Sequence, residues 1–182
     1  QYPHGCVEQT TSGVFPQLYL ADIADIDDAR KQRIQKNVTA GIQKLSQFQL
    51  ANGGFSYWPG GQTADDWSSS YVGHFLLEAE KKGYALPGNI KKDWIAYQSK
   101  MAKQWRFTAE YHNDFAQAYR LYTLALVGSP ELSAMNRMRE TAGISNESKL
   151  RLAATYAITG QKSVGTTLYN QSQIDGTPDR YH

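Results

Sequence analysis

Cysteine is nearly absent from this 182-residue chain: there is one, Cys6. No internal disulfide can form, and the four histidines fall in no Cys/His cluster of zinc-binding spacing, so no metal is expected. Neither sign of charge prevails. Nineteen Lys and Arg stand against seventeen Asp and Glu, a net charge of +2, and the basic residues form no stripe, which argues against a nucleic-acid partner. No apolar run approaches the ~20 residues of a bilayer span, and no signal-peptide pattern opens the chain. No membrane contact and no cofactor are expected. Alternating strand patterns are also missing.

What is present describes a helical globule. Apolar residues make up 41% and charged residues 20%, a balance that builds a core and differs from that of disordered chain. The length suits one domain. The chain opens on Gln1, not Met, and enters directly into a dense motif, so it is expected to be an excised piece of something longer. Twelve tyrosines and four tryptophans fit a helical core and its rim.

Val14, Phe15, Leu18 and Tyr19 recur at helical spacing within 6–23, where Pro16 predicts a kink or a late helix start. Asp27 or Asp28 caps a second helix running to about Leu50, with Ile34, Val38, Ile42, Leu45 and Phe48 as its apolar stripe and Ala51-Asn52-Gly53-Gly54 as its stop. After a Gly- and aromatic-rich loop over 55–67, Ser68 to Ser70 offer caps for a third helix that ends at Gly83. Asn89 caps a fourth helix through Trp105, His112 to Val127 forms a fifth, and short helices follow over 131–141, 145–159 and 161–170. The tail Asp175-Gly176-Thr177-Pro178 has the composition of irregular chain. Helices on short loops predict an all-α chain of stacked antiparallel pairs.

Two motifs narrow this class. Gln49-Leu50-Ala51-Asn52-Gly53-Gly54-Phe55 spells Q-x-x-x-G-G-F, which resembles the helix-to-loop signature of α/α toroids. These are rings of helical hairpins found in prenyltransferases, terpene cyclases and complement-type thioester domains. The implied fold is an α/α toroid of antiparallel helical hairpins with an incomplete ring, because closure needs more hairpins than this chain supplies. An open end would favour association. Tyr2-Pro3-His4-Gly5-Cys6-Val7-Glu8-Gln9-Thr10 resembles the G-C-x-E-Q thioester motif of the α2-macroglobulin and complement family, with Gly5, Cys6, Glu8 and Gln9 matching. Phe15-Pro16-Gln17-Leu18-Tyr19 resembles the apolar helix that follows the motif. The likeness runs clearly to about Lys82 and more faintly to Gly128, and the Y-P-x-G-C prefix resembles the bacterial branch.

The resemblance implies that residues 1–182 are the N-terminal part of the thioester-containing toroid domain of a large bacterial inhibitor, periplasmic, secreted or at the cell surface. Proteases would be its partners, captured covalently through their amines, together with other domains of the parent. Such a protein is an endopeptidase inhibitor and not an enzyme, since each thioester is used once.

The residue chemistry agrees. A thiol and a carboxamide three positions apart share a face where a chain enters a helix. The Cys6 thiolate attacks the Gln9 amide carbon and expels ammonia, leaving a thioester. A helix N-terminus favours a thiolate. Gly5 is expected to supply backbone angles that a side chain would forbid. An amine then attacks the Gln9 carbonyl and Cys6 departs. Tyr2 is the expected local cover against water, set against a plain packing role at a chain start. Glu8 either orients the ring or caps the helix start, and both readings stay open. Some family members carry a histidine that turns the transfer towards hydroxyls. His112 is the one candidate, but its flanks do not match, so direct amine transfer is expected. His4 and His74 are expected to be structural or surface residues.

Two rival readings stand beside this one. Asp25-Ile26-Asp27-Asp28 spells D-x-D-D, the proton-donor motif of terpene cyclases on the same fold, although acidic tetrads also serve as helix starts. A non-catalytic helical module that only binds protein is the other, and the Cys6–Gln9 spacing counts against it. A Cys6–His4 nucleophilic pair lacks both geometry and an orienting carboxylate.

Overall fold

Pro16 divides the first helical segment. It has no N–H to give and holds φ near −65°, so the ladder tightens into a 3₁₀ turn, Phe15–Tyr19, between α1 (Val7–Val14) and the single turn α2 (Leu20–Ile23). The structure is a computed structural model and describes residues 5–174. Tyr2, His4 and the tail Asp175–Pro178 lie outside the described residues. The remaining helices are α3 (Asp28–Ser46), α4 (Asp66–Lys81), α5 (Ile90–Gln104), α6 (Asp114–Leu126), α7 (Leu132–Arg139), α8 (Asn146–Ile158) and α9 (Lys162–Ile174). Among the described residues no strand forms, only isolated bridges at Gln49–Phe55 and Ser56–Ala64. The chain divides into two compact units, one ending at Tyr97 and the other beginning at Gln98.

In the first unit, α1 packs on α3 and α4. Val7 and Val14 of α1, Leu18 after it, and Val38, Ile42 and Leu45 of α3 are buried together. Ile34, expected in that stripe, is only half-buried. A side chain at Gly41 would stand 2.8 Å from Val14 Cγ1, so glycine sets the close approach of α1 to α3. Asp27 caps α3, its carboxylate accepting from Arg30 N at 2.6 Å. α3 stops at Ser46 and not Leu50, because the N–H groups of Gln47 and Phe48 turn to carbonyls three residues back and Gln49 joins a bridge. The cap of α4 also differs from expectation. Asp65 accepts from Ser68 N at 2.7 Å, while Ser68, Ser69 and Ser70 lie buried inside the helix. An ionised acceptor suits the positive end of the dipole better than a hydroxyl, and the Ser69 hydroxyl is engaged elsewhere, accepting from Phe55 N at 2.9 Å. Gly83, at φ +93°, closes α4 as expected.

Tyr19 donates to Glu78 Oε2 at 2.7 Å, and Lys81 donates to Glu78 Oε1 at 2.8 Å. Partial burial and the Glu78 acceptor push the Tyr19 phenol from its ordinary 10.0 up to about 12. Burial works against ionisation of Glu78, but the bonds from Lys81 and Tyr19 and the charges of Lys81 and His74 outweigh it and hold the carboxyl low. The raised phenol contributes stability that is complete below pH 10.0 and lost as pH climbs through about 12. The lowered carboxyl contributes stability present above its ordinary 4.5 and lost as pH falls through its folded value. Tyr19→Phe is therefore expected to cost about 1 kcal/mol on a plateau between those limits, vanishing in strong base. Urea midpoints of both proteins across pH check this, and a pH-independent difference would refute the pairing.

In the second unit α8 packs between α6 and α9. A side chain at Gly165 of α9 would meet Ala153 O at 2.7 Å. Leu121, Leu124, Met135, Met138, Leu152 and Tyr156 form the core. α6 begins at Asp114 and not at His112, because His112 takes a left-handed φ of +45° that closes a 3₁₀ turn, Ala109–Tyr111. Asp114 instead accepts from Ser145 N at 2.9 Å and Ser145 Oγ at 2.8 Å, tying the starts of α6 and α8.

Candidate functional site

Cys6 is the N-cap of α1, with extended backbone at φ −63° and ψ 168°. Its sulfur accepts from Gln9 N at 3.4 Å, and its own N–H donates to Gln9 Oε1 at 3.1 Å. This is a reciprocal capping box with thiol and carboxamide in place of the usual hydroxyl and carboxylate. Sulfur is a weak acceptor and a poor cap compared with Ser, Thr or Asp. The box thus gives up capping strength and holds a thiol and a carboxamide on the same helical turn. The two partners differ in exposure: Cys6 is buried at 4%, while Gln9 is exposed. An incoming group can reach the amide while the sulfur stays covered.

Gly5 leaves room beside the carboxamide: a Cβ there would stand 3.2 Å from Gln9 Oε1. Glu8 does not close the cap, which Cys6 and Gln9 complete between them. Its Oε2 accepts instead from the Tyr57 hydroxyl at 3.1 Å.

Tyr57 is the residue that sequence reading missed. The loop after α3 carries it across the start of α1, where Val7 N donates to Tyr57 O at 3.0 Å. The neighbouring Cys6 and Glu8 side chains push the phenol up to about 12. The Q-x-x-x-G-G-F motif holds this loop. Gln49 Nε2 donates to Gly53 O at 3.1 Å and to Ile90 O at 2.9 Å, and Ser56 Oγ donates to Phe48 O at 3.2 Å and Trp58 O at 2.9 Å. Gly53 takes φ +91°, and a side chain there would strike Asp93 O at 2.1 Å. Trp58 packs edge-on to Tyr57 with ring centres 5.3 Å apart. Tyr2, the aromatic cover expected from the sequence, lies outside the described residues.

The other candidates have places of their own in the fold. In the D-x-D-D tetrad, Asp27 caps α3 and Asp28 pairs with Lys31 at 3.6 Å. His112 belongs to the second unit, exposed at its turn. His74 packs edge-on to Phe15 in the first. Among the described residues no group of three or more His, Cys, Asp or Glu could hold a metal ion, and no helix is long and apolar enough to cross a membrane.

A family model described as the A-macroglobulin TED domain matches residues 1–103, more than half of the chain. The Escherichia coli K12 protein alpha-2-macroglobulin is 39% identical over 94 residues, covering 47% of this chain and 5% of its own length. Salmonella alpha-2-macroglobulin reacted with methylamine is similar in structure, with TM-score 0.81 and 25% identity, over 99% of this chain and 12% of that one. Trypsin-activated alpha-2-macroglobulin from Escherichia coli follows with TM-score 0.77 and 25% identity, over 94% of this chain and 13% of that one. The chain therefore spans a small fraction of the proteins it matches. All-helical, folded as the α/α toroid of those structures and matched through the segment that holds Cys6 and Gln9, the chain belongs to the A-macroglobulin TED domain family, in its bacterial alpha-2-macroglobulin branch.

Proposed function

We propose that this chain is the covalent hook of a bacterial protease inhibitor, in which a Cys6–Gln9 thioester acylates lysine amines of a trapped protease. The observation that carries the reading is the reciprocal capping box, in which Cys6 Sγ accepts from Gln9 N and Gln9 Oε1 accepts from Cys6 N within one helical turn. Sulfur bonds to the carboxamide carbon and ammonia leaves. An amine later takes the acyl group and Cys6 departs as the leaving thiol. Each thioester acts once, so this is capture and not turnover. The similar Salmonella protein is described as reacted with methylamine, and an Escherichia coli one as trypsin-activated, which supports amines as acceptors and proteases as partners. On this reading residues 1–182 form the N-terminal part of the thioester domain, an incomplete toroid ring whose neighbours are other domains of a periplasmic or cell-surface parent.

Intact mass and thiol titration of fresh protein, with and without methylamine, test this. The expected result is a mass short by one ammonia, a silent thiol, and thiol release as methylamine adds. A free thiol beside unmodified Gln9 would return the chain to the protein-binding reading. Gly5→Ala is expected to slow methylamine-dependent thiol release about tenfold, because the new Cβ crowds Gln9 Oε1 and misplaces the acyl carbon. Unaltered release kinetics in that variant would remove Gly5 from the site.

A further inference from the structure

Gln9 is exposed, so an acyl group there meets two nucleophiles at once, amines and the hydroxide of water. The helix that carries it favours the wrong one. The first turn of α1 ends in N–H groups of partial positive charge, which draw an anion such as hydroxide towards Gln9. Glu8 stands in that turn, next to Gln9, and is its acidic residue. Neighbours on one turn lie within about a Debye length of each other, roughly 8 to 10 Å, so this charge is felt at the Gln9 side chain. The carboxylate is half-buried and held in place. Tyr57 donates its hydroxyl hydrogen to Glu8 Oε2 at 3.1 Å, and the Tyr57 carbonyl is fixed on Val7 N at 3.0 Å. Among the described residues no lysine, arginine or histidine forms an ion pair with Glu8, so its charge is left uncancelled. We propose that Glu8, held by Tyr57, selects the acceptor, favouring an attacking amine over hydroxide at the Gln9 acyl carbon.

This role rests on the acyl-transfer reading and follows from how charge moves in the two reactions. An amine brings a neutral nitrogen, which turns positive as it bonds to the acyl carbon. The carbon–sulfur bond breaks with its electron pair on sulfur, and the surplus proton on nitrogen passes through water to the thiolate. A fixed carboxylate nearby stabilises the growing positive charge. Hydroxide instead brings a negative charge. Its oxygen bonds to the acyl carbon, the carbon–sulfur bond breaks in the same way, and the new acid gives its proton to sulfur. A carboxylate then stands in place of the Gln9 amide. The Glu8 charge repels this second nucleophile. One fixed charge thus speeds one reaction and slows the other, whereas burial would slow both. Tyr57 matters because a released Glu8 side chain would swing into water, where its charge is screened. The phenol, pushed up to about 12, stays protonated in mildly alkaline solution and keeps its hydrogen on Glu8.

The test is the partition of the thioester between methylamine adduct and hydrolysis, read by intact mass in the full chain. The amine concentration is fixed and the buffer mildly alkaline, so that hydroxide carries the hydrolysis. Glu8→Gln keeps an acceptor for Tyr57 and removes the charge, and its adduct-to-hydrolysis ratio is expected to fall about tenfold. Tyr57→Phe keeps the charge but frees the carboxylate, and is expected to lower the ratio by a smaller factor. Raising the salt is expected to lower the wild-type ratio and to leave that of Glu8→Gln unaltered. A purely structural loss would open the site to both nucleophiles and move the two rates together. A ratio equal to wild type in Glu8→Gln overturns the proposal. Should that variant form no thioester, the wild-type salt response decides, and a flat ratio overturns it. A wild-type chain with a free thiol and no missing ammonia sinks the acyl-transfer reading itself and the selection with it.

Discussion

Cys6→Ala is expected to abolish methylamine incorporation completely while the helices of the first unit remain. The sulfur is at once the nucleophile that makes the acyl bond and the group that leaves it, so no residual path survives its removal. The structural cost is small. The thiol is a weak cap on Gln9 N at 3.4 Å, and losing it costs about 1 kcal/mol. Cys6→Ser separates the two roles. A hydroxyl caps a helix better than a thiol, so the serine variant is expected to be at least as stable as wild type, yet equally silent towards methylamine. Incorporation that persists in the alanine variant would show that the label enters elsewhere.

Gly73→Ala is expected to destabilise the first unit by about 3 kcal/mol or more. The Trp94 ring lies on α4 where a side chain at Gly73 would be, with Cε2 only 2.0 Å from the added Cβ. The ring has nowhere to go. It is buried at 1%, and its Nε1–H donates to Ser69 O at 2.8 Å. Displacing it breaks that bond and opens the core. In an open helix position the same change stabilises by about 1 kcal/mol through helix propensity. Gly13, exposed on α1 with nothing within 4 Å of its would-be Cβ, is such a position. Chemical denaturation of the two variants is expected to give shifts of opposite sign. A stable Gly73→Ala protein would mean that Trp94 packs differently.

The features that were legible in the sequence are those carried by local rules. The buried residues Val38, Ile42 and Leu45 follow the helical period. Asp27 sits at a capping position with no competing role, and Gly83 and Gly53 take the left-handed angles that their turns need. Cys6 and Gln9 meet within one turn, so their spacing alone brought them together. Prediction failed where the deciding partner was distant in sequence. The serines at 68–70 look like caps until Phe55 claims Ser69 and leaves the cap to Asp65. Tyr57 carries no mark of its role, because its contact with Glu8 spans 49 residues. The room that Gly5 leaves beside Gln9 was illegible for a related reason: the space beside a side chain is invisible in a string of letters.

The bond from Val7 N to Tyr57 O also sets a clock. The first turn of α1 can begin to form as soon as its residues exist, on the sub-microsecond scale of helix growth. The carbonyl that satisfies its N–H arrives only after α3 has folded and a long stretch of chain has closed, a step that carries loop entropy and comes late. Until then the turn frays, and thiol and carboxamide meet only in passing. Whatever chemistry this helix start performs is therefore timed by the folding of the loop, so that an unfinished chain does not act before the fold that directs it exists.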